Sequence, residues 1–198
     1  MIASYCLRLG SRADITALTI AAPGREKPQK TSDAMGAQLN IHVEQVYEPT
    51  GEVRALVEEL ECELAANYPA SQRHGLALGA LFQPHIRFFI ARLDGEAVGC
   101  GGVALFANWA ELKRMYVRPH ARGRSQGIAE LILTRLATEA TNAGLKLLRL
   151  ETGTRQEAAI RFYQRCGFTR CEAFEPYSSM PAQAISTSVF MEKRTRMA

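Results

Sequence analysis

From residue 40 onward, the apolar positions switch repeatedly between a period of two and a period of roughly 3.6 residues, which marks strands and helices in alternation. Ile41-His-Val-Glu-Gln-Val-Tyr47 alternates apolar with polar and predicts a half-buried strand. Pro49-Thr50 then opens a helix carrying Val53, Leu56, Val57, Leu60 and Leu64 at helical spacing. Asn67-Tyr-Pro-Ala-Ser71 breaks it, and a second short helix is expected to run to Leu81 or Phe82. Ile86–Leu93 and Glu96–Phe106 flank Asp94-Gly95, a hairpin signal because both turn residues tolerate positive φ. A further strand is expected over 110–117.

The second half repeats the alternation. A helix beginning near Gln126 carries Ile128, Leu131, Ile132, Leu136 and Ala140 on one face and stops at Asn142-Ala-Gly144. Leu145–Glu151 reads as a strand, and Ala159, Phe162, Tyr163 and Cys166 mark a helix stopped by Gly167. Phe168–Phe174 and Ser186–Met191 are the closing strands. Strands and helices in this order predict an α+β domain built around one sheet. No internal repeat is present.

Residues 1–37 break the pattern, with Pro23-Gly24, Pro28 and the polar run Lys30-Thr-Ser-Asp33. Their five basic residues face three acidic ones. They are expected to be a disordered extension; a targeting peptide or an upstream start before Met35 are the other readings. A length of 198 residues, 47% hydrophobic and 22% charged, suits one soluble domain with a tail. Five cysteines without C-x-x-C spacing read as reduced, mostly core residues of a cytoplasmic protein. No apolar run approaches the roughly 20 residues of a membrane span. His42, His85 and His120 lack metal-ligand spacing, so no metal is expected.

A formal charge of +4 fits a polyanionic small ligand as well as a nucleic acid. The arginines cluster at one turn with no aromatic platform beside them, which argues against nucleic acid. That turn is Val117-Arg-Pro-His-Ala-Arg-Gly-Arg-Ser-Gln-Gly-Ile-Ala129, joining a strand to a helix N-terminus with no acid between Glu111 and Glu130. Free N–H groups and the helix dipole favour an anion there, and Arg122 and Arg124 add full charges. The turn is not a P-loop, since no Gly-Lys-Ser/Thr follows, and it lacks the dinucleotide glycines.

Arg124-x-x-Gly127-x-Ala129 resembles the Arg/Gln-x-x-Gly-x-Gly/Ala signature of the GNAT superfamily of acyl-CoA-dependent N-acetyltransferases. Ala158-Ala-Ile-Arg-Phe-Tyr163-Gln-Arg-Cys-Gly167-Phe168 is similar to a second segment of that superfamily at the expected distance. The resemblance implies an N-acetyltransferase domain over 38–198, a three-layer α/β/α arrangement with a mixed, mostly antiparallel sheet, and acetyl-CoA bound where strands four and five splay apart. It also implies a cradle for the pyrophosphate from the amides of Gln126, Gly127 and Ile128, with Ala129 and Gly123 nearby. The commonest family spacing would put a glycine at Ser125, so the turn is two residues longer here and leaves open whether Arg122 or Arg124 meets the phosphate.

By the same resemblance, backbone amides of Met115, Tyr116 and Val117 would stabilise the oxyanion and receive the pantetheine arm. Glu111 is the candidate base and Tyr163 the candidate acid for thiolate expulsion. Their plainer readings are a salt-bridged strand carboxylate beside Lys113-Arg114 and a core aromatic. The acceptor pocket is expected to border residues 67–79, with Arg73 and His74 pairing a substrate carboxylate and Tyr177 closing the far side. The acceptor is expected to be a small amine or amino-acid-like molecule. A protein amine, or a non-catalytic acyl-CoA-binding module, are the alternatives. The sheet's end strands leave room for a homodimer.

Overall fold

The computed structural model describes residues 40–123 and 126–195. The expected 1–37 extension, Cys6, Arg124 and Ser125 lie outside the described residues. Seven strands form one sheet: β1 (Ile41–Val46), β2 (Ile86–Leu93), β3 (Glu96–Leu105), β4 (Ala110–Val117), β5 (Leu147–Gly153), β6 (Thr169–Arg170) and β7 (Ser188–Arg194). Their spatial order is β1-β2-β3-β4-β5-β7-β6. Every neighbouring pair is antiparallel except β4 with β5. Asp94 and Gly95, with φ of 49° and 89°, make the β2–β3 turn as their composition predicts.

Three helices cover the two faces. α1 (Gly51–Ala65) is capped by the Thr50 hydroxyl, which accepts the Val53 N–H at 3.3 Å. Its Val53, Leu56, Val57 and Leu60 pack on Phe88, Ile90, Cys100 and Tyr116 of the sheet. α2 (Ile128–Asn142) and α3 (Glu157–Arg165) cover the opposite face, where Ile132, Leu136, Ile160 and Tyr163 meet Phe89, Val98, Leu148 and Leu150. Phe88 and Ile90 point one way and Phe89 and Ala91 the other, because β2 is central and must bury both faces. Each such large apolar side chain stabilises the fold by roughly 1.5–3 kcal/mol relative to exposure.

Three sequence expectations change. The second helix before Phe82 is instead two 3-10 turns, Ala70–Gln72 and Leu78–Phe82, since Pro69, Gly75 and Gly79 interrupt any longer run. The penultimate strand shrinks to two residues because the chain then leaves the edge for the aromatic cluster of Phe174, Tyr177 and Phe190. Among the described cysteines only Cys100 is buried; Cys62 is exposed, and Cys166 and Cys171 are half-buried, all four as free thiols.

Candidate active site

β4 keeps company with β5 for only three residues. Ala110, Glu111 and Leu112 pair with Leu148, Arg149 and Leu150, and from Lys113 to Val117 the two strands have no registered partners. On its other side β4 carries a bulge: its register on β3 passes from Lys113 opposite Gly102 to Tyr116 opposite Cys100. The extra residue is accommodated at Arg114, a non-glycine residue at φ 56°. The bulge resets the alternation, so Met115 packs with the α2 side of the core while Tyr116 packs under α1. Arg114 is held by its side chain, which donates to the Leu76 carbonyl and pairs with Glu61 of α1.

The splay opens into a cleft of about 540 Å³. Met115, Tyr116 and Val117 form one wall, Arg122 and Gly123 the rim, Ala129 and Glu130 the α2 end, and Gln156–Ala159, Phe162 and Tyr163 the opposite wall. Of the expected cofactor residues, Gln126, Gly127 and Ile128 do not line this cleft, whereas Ala129 does. Gly127 sits at φ 64° as the N-cap of α2, so the helix starts two residues later than expected. The first-turn amides are therefore those of Ile128, Ala129 and Glu130, while the Gly127 N–H leans on the Gly123 carbonyl at 3.4 Å. The Gln126 Oε1 is buried without a partner among the described residues.

Arg122 is spoken for. Its Nε donates to the Val117 carbonyl at 2.7 Å, its guanidinium pairs with Glu63 at 2.6 Å, and it lies 5.5 Å from the centre of the Tyr116 ring. Burial, with Glu63 and Glu59 nearby, pushes the Tyr116 phenol up to about 12.

A smaller cavity of about 120 Å³ lies on the α1 side of the splay. Arg73, His74, Glu111 and Tyr177 all face it, so the structure brings the expected acceptor residues together with the candidate base. Arg73 pairs with Glu61 at 2.9 Å, and its buried Nε has no partner among the described residues. His74 Nε2 lies 3.1 Å from the Ala184 carbonyl, which the protonated-Nε2 form satisfies, and its ring meets Tyr177 edge-on. Glu111 is 1% exposed. Its Oε1 receives Lys113 Nζ at 2.6 Å and the Tyr177 hydroxyl at 2.7 Å; its Oε2 has no partner among the described residues. Burial and the adjacent Glu111 charge push the Tyr177 phenol well above its usual range.

Tyr163 lies on both cavities, as do Met115, Gln156 and Ala159. Its ring is wedged edge-on between Phe162 and Phe168, its hydroxyl has no hydrogen bond among the described residues, and burial pushes its phenol well up. Gln156 and Glu151 are polar lining residues that escaped the sequence reading. Gln156 caps the β5–α3 loop by accepting the Thr152 hydroxyl at 2.7 Å and the Gly153 N–H at 3.2 Å. Glu151 faces the smaller cavity and accepts the Ser188 hydroxyl at 2.7 Å. Strand alternation was the available signal, because Leu148, Leu150 and Thr152 are the buried set and Glu151 must point the other way.

Among the described residues no group of three or more His, Cys, Asp or Glu could hold a metal ion, and no helix is long and apolar enough to cross a membrane.

Residues 53–168 match the family model described as Acetyltransferase (GNAT) family. An IAA acetyltransferase from Azospirillum brasilense is 43% identical over 140 residues, covering 70% of this chain and 87% of the relative. The aminoalkylphosphonate N-acetyltransferase of Salmonella typhimurium is 34% identical over 129 residues, covering 61% and 79%. In three dimensions, a Klebsiella pneumoniae protein assigned as an acyl-CoA N-acyltransferase superposes with a TM-score of 0.63 at 33% identity, over 78% of this chain and 97% of that one. With its splayed sheet, its strand-to-helix glycine turn and these relatives, the chain belongs to the GNAT family and is an acyl-CoA-dependent N-acetyltransferase.

Proposed function

We propose that the enzyme moves an acetyl group from acetyl-CoA directly to the primary amine of a small acceptor that also carries an anionic group. The observation that carries this is the meeting of the two cavities at Met115, Ala159 and Tyr163, so that donor and acceptor can approach one point from opposite sides.

The cleft suits the donor on its own features: Ala129 and Glu130 bring first-turn amides of α2 to one end, and the Arg122 guanidinium stands on the rim, where it can exchange Glu63 for a phosphate. Bound acetyl-CoA supplies an acyl thioester, whose carbonyl is the electrophile and whose sulfur is the leaving atom. The amides of Met115 to Val117, lacking a β5 partner, are the candidates to add to a peptide-like arm and to meet charge developing on the carbonyl oxygen. Tyr163 holds a proton on a phenol that burial keeps neutral, facing the junction where the sulfur would leave.

On the acceptor side, Glu111 presents an unpartnered Oε2 to an ammonium, and the Arg73 Nε and the ring of His74 face the anionic end. The Salmonella relative is named for an acceptor of that kind, an amine joined to a phosphonate. A cavity of about 120 Å³ favours such a molecule over a polypeptide segment. The test is release of free thiol from acetyl-CoA with a panel of amino acids, aminoalkylphosphonates, uncharged amines and peptides.

A further inference from the structure

Two carboxylates face the smaller cavity from opposite sides of the splay, Glu111 on β4 and Glu151 on β5. Glu111 is already committed, its charge matched by Lys113 and its Oε1 occupied by Tyr177. Glu151 differs. Among the described residues it has no ion-pair partner, and its one hydrogen bond comes from the uncharged Ser188 hydroxyl of β7. The charged and titratable groups around it are His74 from the segment after α1, Glu111 and Lys113 from β4, and Tyr177 from the segment before β7. The guanidinium groups of Arg73 and Arg114 on the same wall are both engaged by Glu61.

We propose that Glu151 takes the proton from the acceptor's ammonium, while Glu111, fixed by Lys113 and Tyr177, orients that ammonium. The assignment rests on the acyl-transfer reading above. An unpaired carboxylate opening onto the cavity can accept a proton without breaking an ion pair, and Glu111 cannot. Burial, and secondarily the neighbouring Glu111, raises the Glu151 carboxyl; Ser188, His74 and Lys113 only partly oppose this. A raised carboxyl is the better proton acceptor near neutral pH.

The step balances. One ammonium proton passes to a Glu151 oxygen, and the freed lone pair forms the C–N bond as the C–S bond breaks. Tyr163 gives its proton to the departing sulfur and regains one from the new amide nitrogen, and Glu151 releases its proton to solvent. One proton leaves per turnover.

The experiment is the pH dependence of kcat/KM for wild type, Glu151→Gln, Glu111→Gln and Ser188→Ala, with acetyl-CoA thermal shift run on each. The wild-type rate is expected to fall on the acid side with a midpoint above the roughly 4.3 of an ordinary glutamate. Glu151→Gln is expected to lose about 100-fold in rate and to lose that acid limb, with acetyl-CoA still raising its Tm. Ser188→Ala removes a bond that favours the charged carboxylate, so the limb moves to higher pH. A Glu151→Gln enzyme that binds acetyl-CoA and keeps the wild-type limb overturns the assignment alone, as does a limb that vanishes only in Glu111→Gln. Absence of both thermal shift and turnover in wild type overturns the acyl-transfer reading and the assignment with it.

Discussion

The guanidinium of Arg114 lies so close over Gly75 that even a methyl group on Gly75 would overlap it. That contact lets one side chain tie the bulge of β4 to the Leu76 carbonyl and to Glu61 of α1. Gly75→Ala is expected to lower stability by about 1–3 kcal/mol, the usual cost of overpacking a fixed neighbour. Because Gly75 and Arg114 both line the smaller cavity proposed for the acceptor, KM for the amine is expected to rise while acetyl-CoA affinity holds. Thermal melts and steady-state kinetics check it; a variant with the wild-type Tm would contradict the contact.

Tyr163→Phe removes one hydroxyl that has no hydrogen bond among the described residues and keeps the ring between Phe162 and Phe168, so the fold is expected to tolerate it. Turnover is expected to drop by about 10-fold or more with acetyl-CoA affinity nearly intact. An unchanged kcat would take Tyr163 out of the proton transfer.

Glu63 holds Arg122 at 2.6 Å on the rim of the larger cleft. Glu63→Gln frees that guanidinium for a phosphate, so acetyl-CoA is expected to bind several-fold more tightly, with a steeper salt dependence. Arg122→Ala is expected to do the reverse. Equal dissociation constants for all three proteins would show that Arg122 plays no part in donor binding.

Among the described residues nothing stands within 4 Å of where a Gly127 side chain would begin, yet its φ of 64° disfavours one. Gly127→Ala is expected to cost about 1–2 kcal/mol from backbone strain alone. Gly127→Glu adds a negative charge beside the proposed phosphate site and is expected to abolish acetyl-CoA binding. Titration of both variants separates strain from charge.

Burial raises the Glu151 carboxyl in the folded state. Its contribution to stability is fully present below the unfolded pKa, where both states are neutral, and is lost as pH rises through the folded value. Gln at this position stays neutral throughout. Glu151→Gln should therefore gain in Tm relative to wild type as pH increases from 4 to 8, even as it loses activity. A difference in Tm that is constant with pH would mean that Glu151 is not raised.

Much of this was legible because the period of apolar residues is imposed by burial, and burial is what builds the sheet. The seven strands and three main helices follow from it, as does the place of Tyr163 on α3, set by its helical spacing with Ala159 and Cys166. The bulge was not legible, because no glycine or proline stands in β4 itself. A left-handed Arg114 is sustained by long-range bonds to Glu61 and Leu76, which no local pattern announces. Arg122 stood out as a free cation in sequence, yet its partner Glu63 lies on α1, three strands earlier in the chain. Glu151 was overlooked for the opposite reason: as one charge at the end of a leucine-rich strand, only the splay between β4 and β5 turns it toward a cavity.

At the junction of the two cavities this protein is expected to acetylate a small anionic amine. Thiol release from acetyl-CoA across the amine panel tests it most directly. Turnover is expected with amino acids or aminoalkylphosphonates, weaker turnover with uncharged amines, and loss of the preference in Arg73→Ala. Turnover confined to peptides, or acetyl-CoA binding without thiol release from any amine, would contradict it.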